Sequence, residues 1–453
     1  MISRGLSENG RSRQYDVLGV GFGPSNIAFA IALDEHNMQL SPDRALVGRY
    51  LEKQQSFGWH RGMLIEGPLM QVPFLKDLAT LRNPASRFSF VTYLESKGRL
   101  NDFINRKCWF PSRVEFNDYL EWAASAFDRV VDYGADVIAI RPIWEDGVVT
   151  CFEVVVGRGG ADRSSGGYRA RNVVVALGLE PCLPDGSVVS KRIWHNCELV
   201  QRASQLSGDA PRRIVVIGAG QSAAETTEYL HRSFPAAEVC ALSSHYGYRP
   251  IDDSPYVNRI FDPDAVDVFY GAPEHVKRAL LAQHGNTSYS VVDIGLIHSL
   301  YDRAYQESVV GIPRLRMLDV SRVLDAREIG NAVSLRVECL ATGEISNLDA
   351  DVLVYATGYR SVDPSALLGE LHDYCEYRDG QLAVGRNYRV ATAPEIRAGI
   401  YLQGPTESTH GISSSLLSNI AVRAGEIVDA IAEPPSPQHR QPRFDQLAPD
   451  CAR

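Results

Sequence analysis

The sequence predicts an α/β fold made of two similar strand–turn–helix units. Three observations predict it. A glycine turn, Gly21-Phe-Gly23-Pro-Ser-Asn26, stands between an apolar strand and an apolar helix. A second, Gly218-Ala-Gly220-Gln-Ser-Ala223, repeats that arrangement about 200 residues later. Two apolar strands, at 172–178 and 351–359, each run into a glycine, as strands of a parallel sheet do where they reach a bound nucleotide. Both units are therefore Rossmann-like dinucleotide-binding domains.

The elements follow in order. Residues 1–13 read as a disordered arm. From Tyr15 a strand enters the first turn, the helix I-A-F-A-I-A-L follows, and 46–52 is the next strand, which gives the β-α-β order of a parallel sheet. Aromatic-rich helices occupy 75–130, and alternating strands lie near 136–142 and 149–156. A Gly/Ser-rich hairpin tip at 157–167 leads into the strand at 172–178. The second unit starts at Arg213, and its next strand is 238–242. Residues 245–315 are less regular, and the Pro-rich end reads as a disordered tail. The expected domains are 14–200 and 346–432 for the first unit and 210–345 for the second. The tail is expected at 433–453.

Composition narrows the function. A length of 453 residues suits about three domain-sized pieces, and 45% hydrophobic with 22% charged residues is ordinary for a packed protein. A net charge of −9 argues against a nucleic-acid partner, which needs a basic face. No apolar run reaches the roughly 18 residues of a membrane span, and residues 1–14 hold no signal-peptide core. A soluble, cytoplasmic protein with no membrane partner is expected. The eight cysteines form no C-x-x-C pair and no metal-ligand cluster, so reduced thiols and no metal are expected.

The motifs carry the chemistry. Gly21 and Gly23 allow a tight turn, and backbone N–H groups can approach a pyrophosphate at the helix N-terminus. Glu52 ends the next strand, where a carboxylate accepts ribose hydroxyls. In the second unit Ser243-Ser244 stand in place of that acid, so nothing repels a 2′-phosphate and NADP is favoured over NAD. Arg249 either pairs with that phosphate or is a solvated surface charge. Two such sites suggest FAD first and NADPH second, and Ala356-Thr-Gly358 is assigned to the first nucleotide. Without a cysteine pair a flavin disulfide reductase is disfavoured, and a flavin that reacts with O2 is the better reading.

The residues resemble the flavin-dependent N-hydroxylating monooxygenases of siderophore biosynthesis, the L-ornithine/L-lysine N-monooxygenases, from about 14 to 432. The motifs that carry the resemblance are G-F-G-P-S-N (21–26), W-H-R-G-M (59–63) and M-Q-V-P-F-L-K-D-L-A-T-L-R-N-P (70–84). They continue with G-A-G-Q-S-A-A-E (218–225), D-D-S-P-Y-V-N-R-I-F (252–261), N-T-S-Y-S-V-V (286–292), A-T-G-Y (356–359) and H-G-I-S-S-S-L-L-S (410–418). The resemblance implies an FAD domain, an inserted NADPH domain and a small, mostly helical substrate-binding part, with a substrate-binding segment at about 250–320. It implies that Glu52 to His60, with Trp59, and Gln71 line the FAD, with Val137 near the adenine. Ala219 to Ser222, including Gly220 and Gln221, would hold the NADP pyrophosphate. Asn26, Ser288, Tyr289, Gly358, His410 and Gly411 join the expected cofactor-binding set. Lys76 and Asn258 match substrate-binding positions, Asn258 also touching the nicotinamide half, and Ser413 matches a position near flavin and substrate. Together these three are the expected catalytic set.

Two departures stand out: Ser288 replaces the family's usual Asn at the substrate carboxylate, and Ser244 replaces a basic residue near the 2′-phosphate. The implied reaction is hydroxylation of the side-chain amine of a basic amino acid by O2, through a C4a-hydroperoxyflavin. L-Ornithine N5 stands slightly ahead of L-lysine N6, followed by a diamine. A homo-oligomer, a tetramer, is implied as well. Baeyer–Villiger or sulfur-oxidising flavin monooxygenases share both glycine turns without needing Lys76 and Asn258. A non-catalytic flavin redox sensor would leave the second turn idle.

Overall fold

The computed structural model describes residues 14–157, 167–206, 210–287 and 289–433. The expected arm at 1–13, the core of the expected hairpin tip and the tail beyond Glu433 lie outside them, as does Ser288.

Gln14–Val20 is the central strand of the first sheet, parallel to Gly48–Glu52 on one side and to Tyr168–Val175 on the other. Val131–Tyr133 extends the first edge in parallel. Gly399–Leu402 pairs in parallel with the second half of Tyr168–Val175. The hairpin Asp136–Glu145 and Val148–Gly157 completes the sheet in antiparallel register. In the second sheet all five strands are parallel, in the order Leu315–Leu318, Glu238–Leu242, Arg213–Ile217, Val352–Tyr355, Ile193–His195. An antiparallel trio, Ser321–Ile329, Ala332–Cys339 and Ile345–Ala350, packs against it.

The expected domain boundaries move accordingly. Ile193–His195, assigned to the first unit, and Val352–Tyr355, assigned to its second part, both belong to the second sheet. Each is short and fully buried, which suits either parallel sheet, so local composition cannot assign it. The chain thus crosses between units after 168–175 and returns after 352–355. The two crossings pair with each other as Leu179–Pro181 against Tyr359–Ser361.

The helix Pro24–Asn37 is apolar on every side from Ile27 to Leu33 because it lies between the first sheet and other helices. Pro24 at its first position needs no N–H partner there. Phe90, Tyr93, Phe116 and Tyr119 fill the space beyond it, with the Phe90 and Tyr119 rings 5.2 Å apart, edge to face. The segment 245–315, expected to be less regular, holds a 3-10 turn at Val257–Phe261 and the helices Pro263–Gly271, Glu274–His284 and Ile294–Val309. The last two bury one residue each, Lys277 and Leu300. Among the described residues no helix is long and apolar enough to cross a membrane.

Candidate active site

At the first turn Gly21 takes φ +82°, and a Cβ there would stand 2.3 Å from the Ala176 carbonyl oxygen, so only glycine fits. A Cβ on Gly23 would meet nothing within 4 Å. Protein packing does not require that glycine, and the space in front of the helix N-terminus is left free for a ligand to approach the backbone. Glu52 lies at the sheet end with Oε2 accepting the Phe22 N–H at 2.7 Å and Oε1 accepting the Gln54 N–H at 2.9 Å. Each oxygen keeps a second lone pair for a hydroxyl donor. Asn26 departs from expectation. It is fully buried, its Nδ2 donating to the Gly21 carbonyl at 2.7 Å and its Oδ1 accepting from Gln403 at 3.1 Å. Its side chain staples the turn, with both amide atoms held by protein.

The second turn repeats the device. Gly218 has φ +147°, and a Cβ would stand 2.3 Å from the Ala356 oxygen. A Cβ on Gly220 would come only within 3.6 Å of the Ser290 Cα, an ordinary contact. Ser222 follows in the first turn of the helix Gln221–Ser233. The amide of Gln221 accepts the Asp293 N–H at 2.8 Å and donates to Glu225 at 2.9 Å. Ser244 and Arg249 are both exposed beyond the next strand, and that strand carries no acid at its end. Ala356 closes on Gly218 as Ala176 closes on Gly21, so the strand before Gly358 serves the second turn, not the first nucleotide as expected. Gly358 itself, at φ +84°, lies on the crossing, its carbonyl accepting the Cys182 N–H at 3.0 Å.

Between the turns, Trp59 packs edge-on against His60, ring centroids 4.7 Å apart, and against Phe116. His60 has φ +47°, and Tyr359 lies 5.7 Å from its ring. Loss of surrounding water, then the nearby Arg113 charge, pushes its pKa down to about 4. Ser112 caps the helix Arg113–Ser125, which sets Arg113 at its first position. From there Arg113 forms an ion pair with Glu225 of the second unit at 2.8 Å, and Glu225 is 1% exposed. The sequence reading missed this pair, although Glu225 closes the motif G-A-G-Q-S-A-A-E. Gln71 is exposed, and Val137 lies in the core of the first unit beside Leu18, Val20 and Leu51.

The expected substrate residues come together. The Lys76 ammonium stands 5.4 Å from the centre of the Phe261 ring, at the end of the turn that carries Asn258. Burial lowers its pKa, and Asp262 opposes that shift. Asn258 Nδ2 donates to the Asp253 carbonyl at 2.8 Å. The turn Ile412–Ser415, with Ser413 buried in it, packs against Val257–Phe261. Tyr289 donates to Glu407 at 2.7 Å beside this turn. Gly411 has φ +82°, and a Cβ there would meet the Phe269 ring at 3.2 Å. His410 is a further correction. It is fully buried, stacked on Tyr388 at 4.2 Å, with Nδ1 beside Thr409 Oγ1 and Nε2 beside the Arg386 carbonyl. It shapes the turn from behind and offers no face to a cofactor.

The two dinucleotides fit these residues. At the first turn Gly23 faces open space, at the second Gly220 has only an ordinary contact with Ser290, and the first turn also has a pair of orphaned groups nearby. Asn419 is 3% exposed with neither amide atom partnered, and Ser414 Oγ is likewise buried and unpartnered. Polar groups left so without a ligand are costly, which fits a cofactor wall.

Residues 13–361 match the model of the L-lysine 6-monooxygenase/L-ornithine 5-monooxygenase family. The chain belongs to this family. It is 39% identical to the L-ornithine N(5)-oxygenase of Arthrobotrys oligospora, over 94% of this chain and 89% of that protein. Among solved structures, the ornithine N-hydroxylase of Kutzneria sp. 744, with reduced FAD, NADP+ and L-ornithine, is 45% identical. It covers 92% of this chain and 99% of its own, with a TM-score of 0.88. The L-lysine 6-monooxygenase of Pseudomonas syringae is 30% identical over 92% of this chain and 99% of its own, with a TM-score of 0.81. The protein is a flavin N-monooxygenase, and its cofactors are FAD and NADPH.

Proposed function

We propose that this member of the family hydroxylates N5 of L-ornithine, with O2 and NADPH as co-substrates and FAD as the resident cofactor. The balance is amine plus O2 plus NADPH plus a proton, giving the hydroxylamine, water and NADP+. The reduced flavin supplies the activation of oxygen. One observation carries the assignment to a basic amino acid. Lys76, the Asn258 turn and the Ser413 turn meet at one place, so a cation stands where the substrate's far carboxylate would lie. The higher identity to ornithine enzymes than to the lysine enzyme supports ornithine.

In this reading the Gly21–Gly23 turn, Glu52, Trp59, His60 and Gln71 hold the FAD, with Val137 behind the adenine. Gly218, Gly220, Gln221, Ser222 and Arg249 hold the NADPH, and Tyr289 closes that side. Lys76 and Asn258 bind the amino-acid end, with Ser413 nearer the flavin. A free amine of pKa about 10.4 is almost wholly protonated at neutral pH. The site must therefore favour its neutral form by withdrawing it from water, and binding the far carboxylate sets its distance. An exposed apolar stretch, Tyr301, Tyr305, Val309, Val310 and Ile312, supports self-association of the chain.

The test is product analysis with ornithine, lysine, putrescine and cadaverine, each with FAD and NADPH. N5-hydroxyornithine formed in step with NADPH oxidation is expected, and a higher kcat/KM for lysine or a diamine overturns the assignment.

A further inference from the structure

Arg423 is 2% exposed, yet no carboxylate among the described residues lies within 4 Å of it. Its guanidinium donates to the Ser414 carbonyl, to Gln403 Oε1 at 3.4 Å and to Ser25 Oγ at 3.4 Å. None of these is an anion. The nearest acid on its own helix, Glu426, is held by both Nη atoms of Arg386 at 2.9 and 2.8 Å. A buried cation whose hydrogen-bond partners are all neutral, with only the already paired Glu426 charge near it, is costly. Its position adds to the cost. Arg423 ends the first turn of the helix Ile420–Ala432, and Ser25 lies in the first turn of Pro24–Asn37. The positive ends of two helices therefore face one buried positive charge, the reverse of a favourable arrangement. Burial also holds its pKa below the usual arginine range. A fold keeps such a conflict where an anion resolves it.

The anion's place follows from the same contacts. Ser25 belongs to the turn whose Gly23 leaves open space at the helix N-terminus. We propose that Arg423 is the buried counter-charge of the FAD diphosphate, acting from behind Ser25 and Ser414 and setting how firmly FAD is retained. The proposal rests on the reading that the diphosphate lies on the Gly21–Gly23 turn. Arg423 is too enclosed to touch the cofactor. It acts by charge through protein, where the field of an ion is screened less than in water.

The test uses the purified holoenzyme and three variants. Arg423→Met keeps the apolar length and removes the charge, Arg423→Lys keeps the charge, and Gly23→Val fills the open space of the turn. FAD retention is read by dilution and by the temperature at which flavin fluorescence appears, with far-UV circular dichroism reporting global unfolding. Arg423→Met should weaken FAD binding tenfold or more and release flavin well below the unfolding temperature. Arg423→Lys should recover most of that retention, and Gly23→Val should lose FAD. If Arg423→Met does not fold, Arg423→Gln gives the same readout. Wild-type retention in Arg423→Met, with loss in Gly23→Val, overturns the counter-charge and leaves the turn assignment standing. Equal losses in Met and Lys, coincident with unfolding, show that Arg423 serves packing alone and overturn it too. Full retention in Gly23→Val overturns the turn assignment and the proposal together.

Discussion

A lysine partly withdrawn from water and held over the Phe261 ring, as Lys76 is, gives up less hydration on meeting a carboxylate than a free one does. A hydrogen bond to a charged group contributes about 1.5–3 kcal/mol, which is tenfold or more in affinity. Lys76→Ala should therefore raise KM for ornithine at least tenfold, with little change for putrescine, which has no carboxylate. Steady-state kinetics on both substrates decide it, and equal losses would assign Lys76 another role. His410 makes a second residue-scale prediction, about pH. Burial, the largest cause, pushes its pKa down to about 3, against about 6.5 in an unfolded chain. Between those values the unfolded state binds a proton that the folded state refuses, so stability is complete above about 6.5 and falls on acidification toward 3. The slope reaches about 1.4 kcal/mol per pH unit for one such group. His410→Gln should flatten the decline of Tm between pH 6 and 4, and a slope identical to wild type would exclude His410 as its source.

The two glycine turns show how one local pattern serves two physical ends. Gly218 is glycine because protein backbone presses on it, and Gly220 is glycine although protein does not. Gly218→Ala should lower Tm by disturbing the Ala356 strand. Gly220→Val should leave Tm and FAD content near wild type while slowing flavin reduction by NADPH severely. Stopped-flow absorbance reads the second effect, and unchanged reduction in Gly220→Val would remove that turn from the NADPH site. The turns were legible in the sequence because strand, glycines and helix are contiguous there. Asn26 was legible as part of the motif but not in its role, since its partner Gln403 is distant in sequence. The helices of 263–309 were not read from pattern, because so few of their side chains reach a core. Val352–Tyr355 was recognised as a buried strand and given to the wrong sheet, because register with Arg213–Ile217 is a non-local fact.

At the scale of the whole molecule, hydride transfer requires the second unit to sit at a fixed distance from the first, and local motifs say nothing about that distance. Two devices fix it here: the paired crossings, Leu179–Pro181 with Tyr359–Ser361, and the Arg113–Glu225 ion pair. The pair ties the start of the helix Arg113–Ser125 to the helix that opens at Gly220, and Gln221 shares the carboxylate. Removing one partner of a buried pair costs about 3–5 kcal/mol, because the other charge stays buried, whereas replacing both by apolar groups is often neutral. Glu225→Gln should therefore lower Tm by several degrees and slow reduction by NADPH more than reduction by dithionite, which needs no docking of the second unit. The double variant Arg113→Met, Glu225→Leu should recover much of the Tm without recovering the NADPH rate. That split separates the energetic role of the pair from its geometric one. Recovery of both would mean that the pair only stabilises the fold, and loss of neither in Glu225→Gln would mean that the crossings alone hold the two units in place.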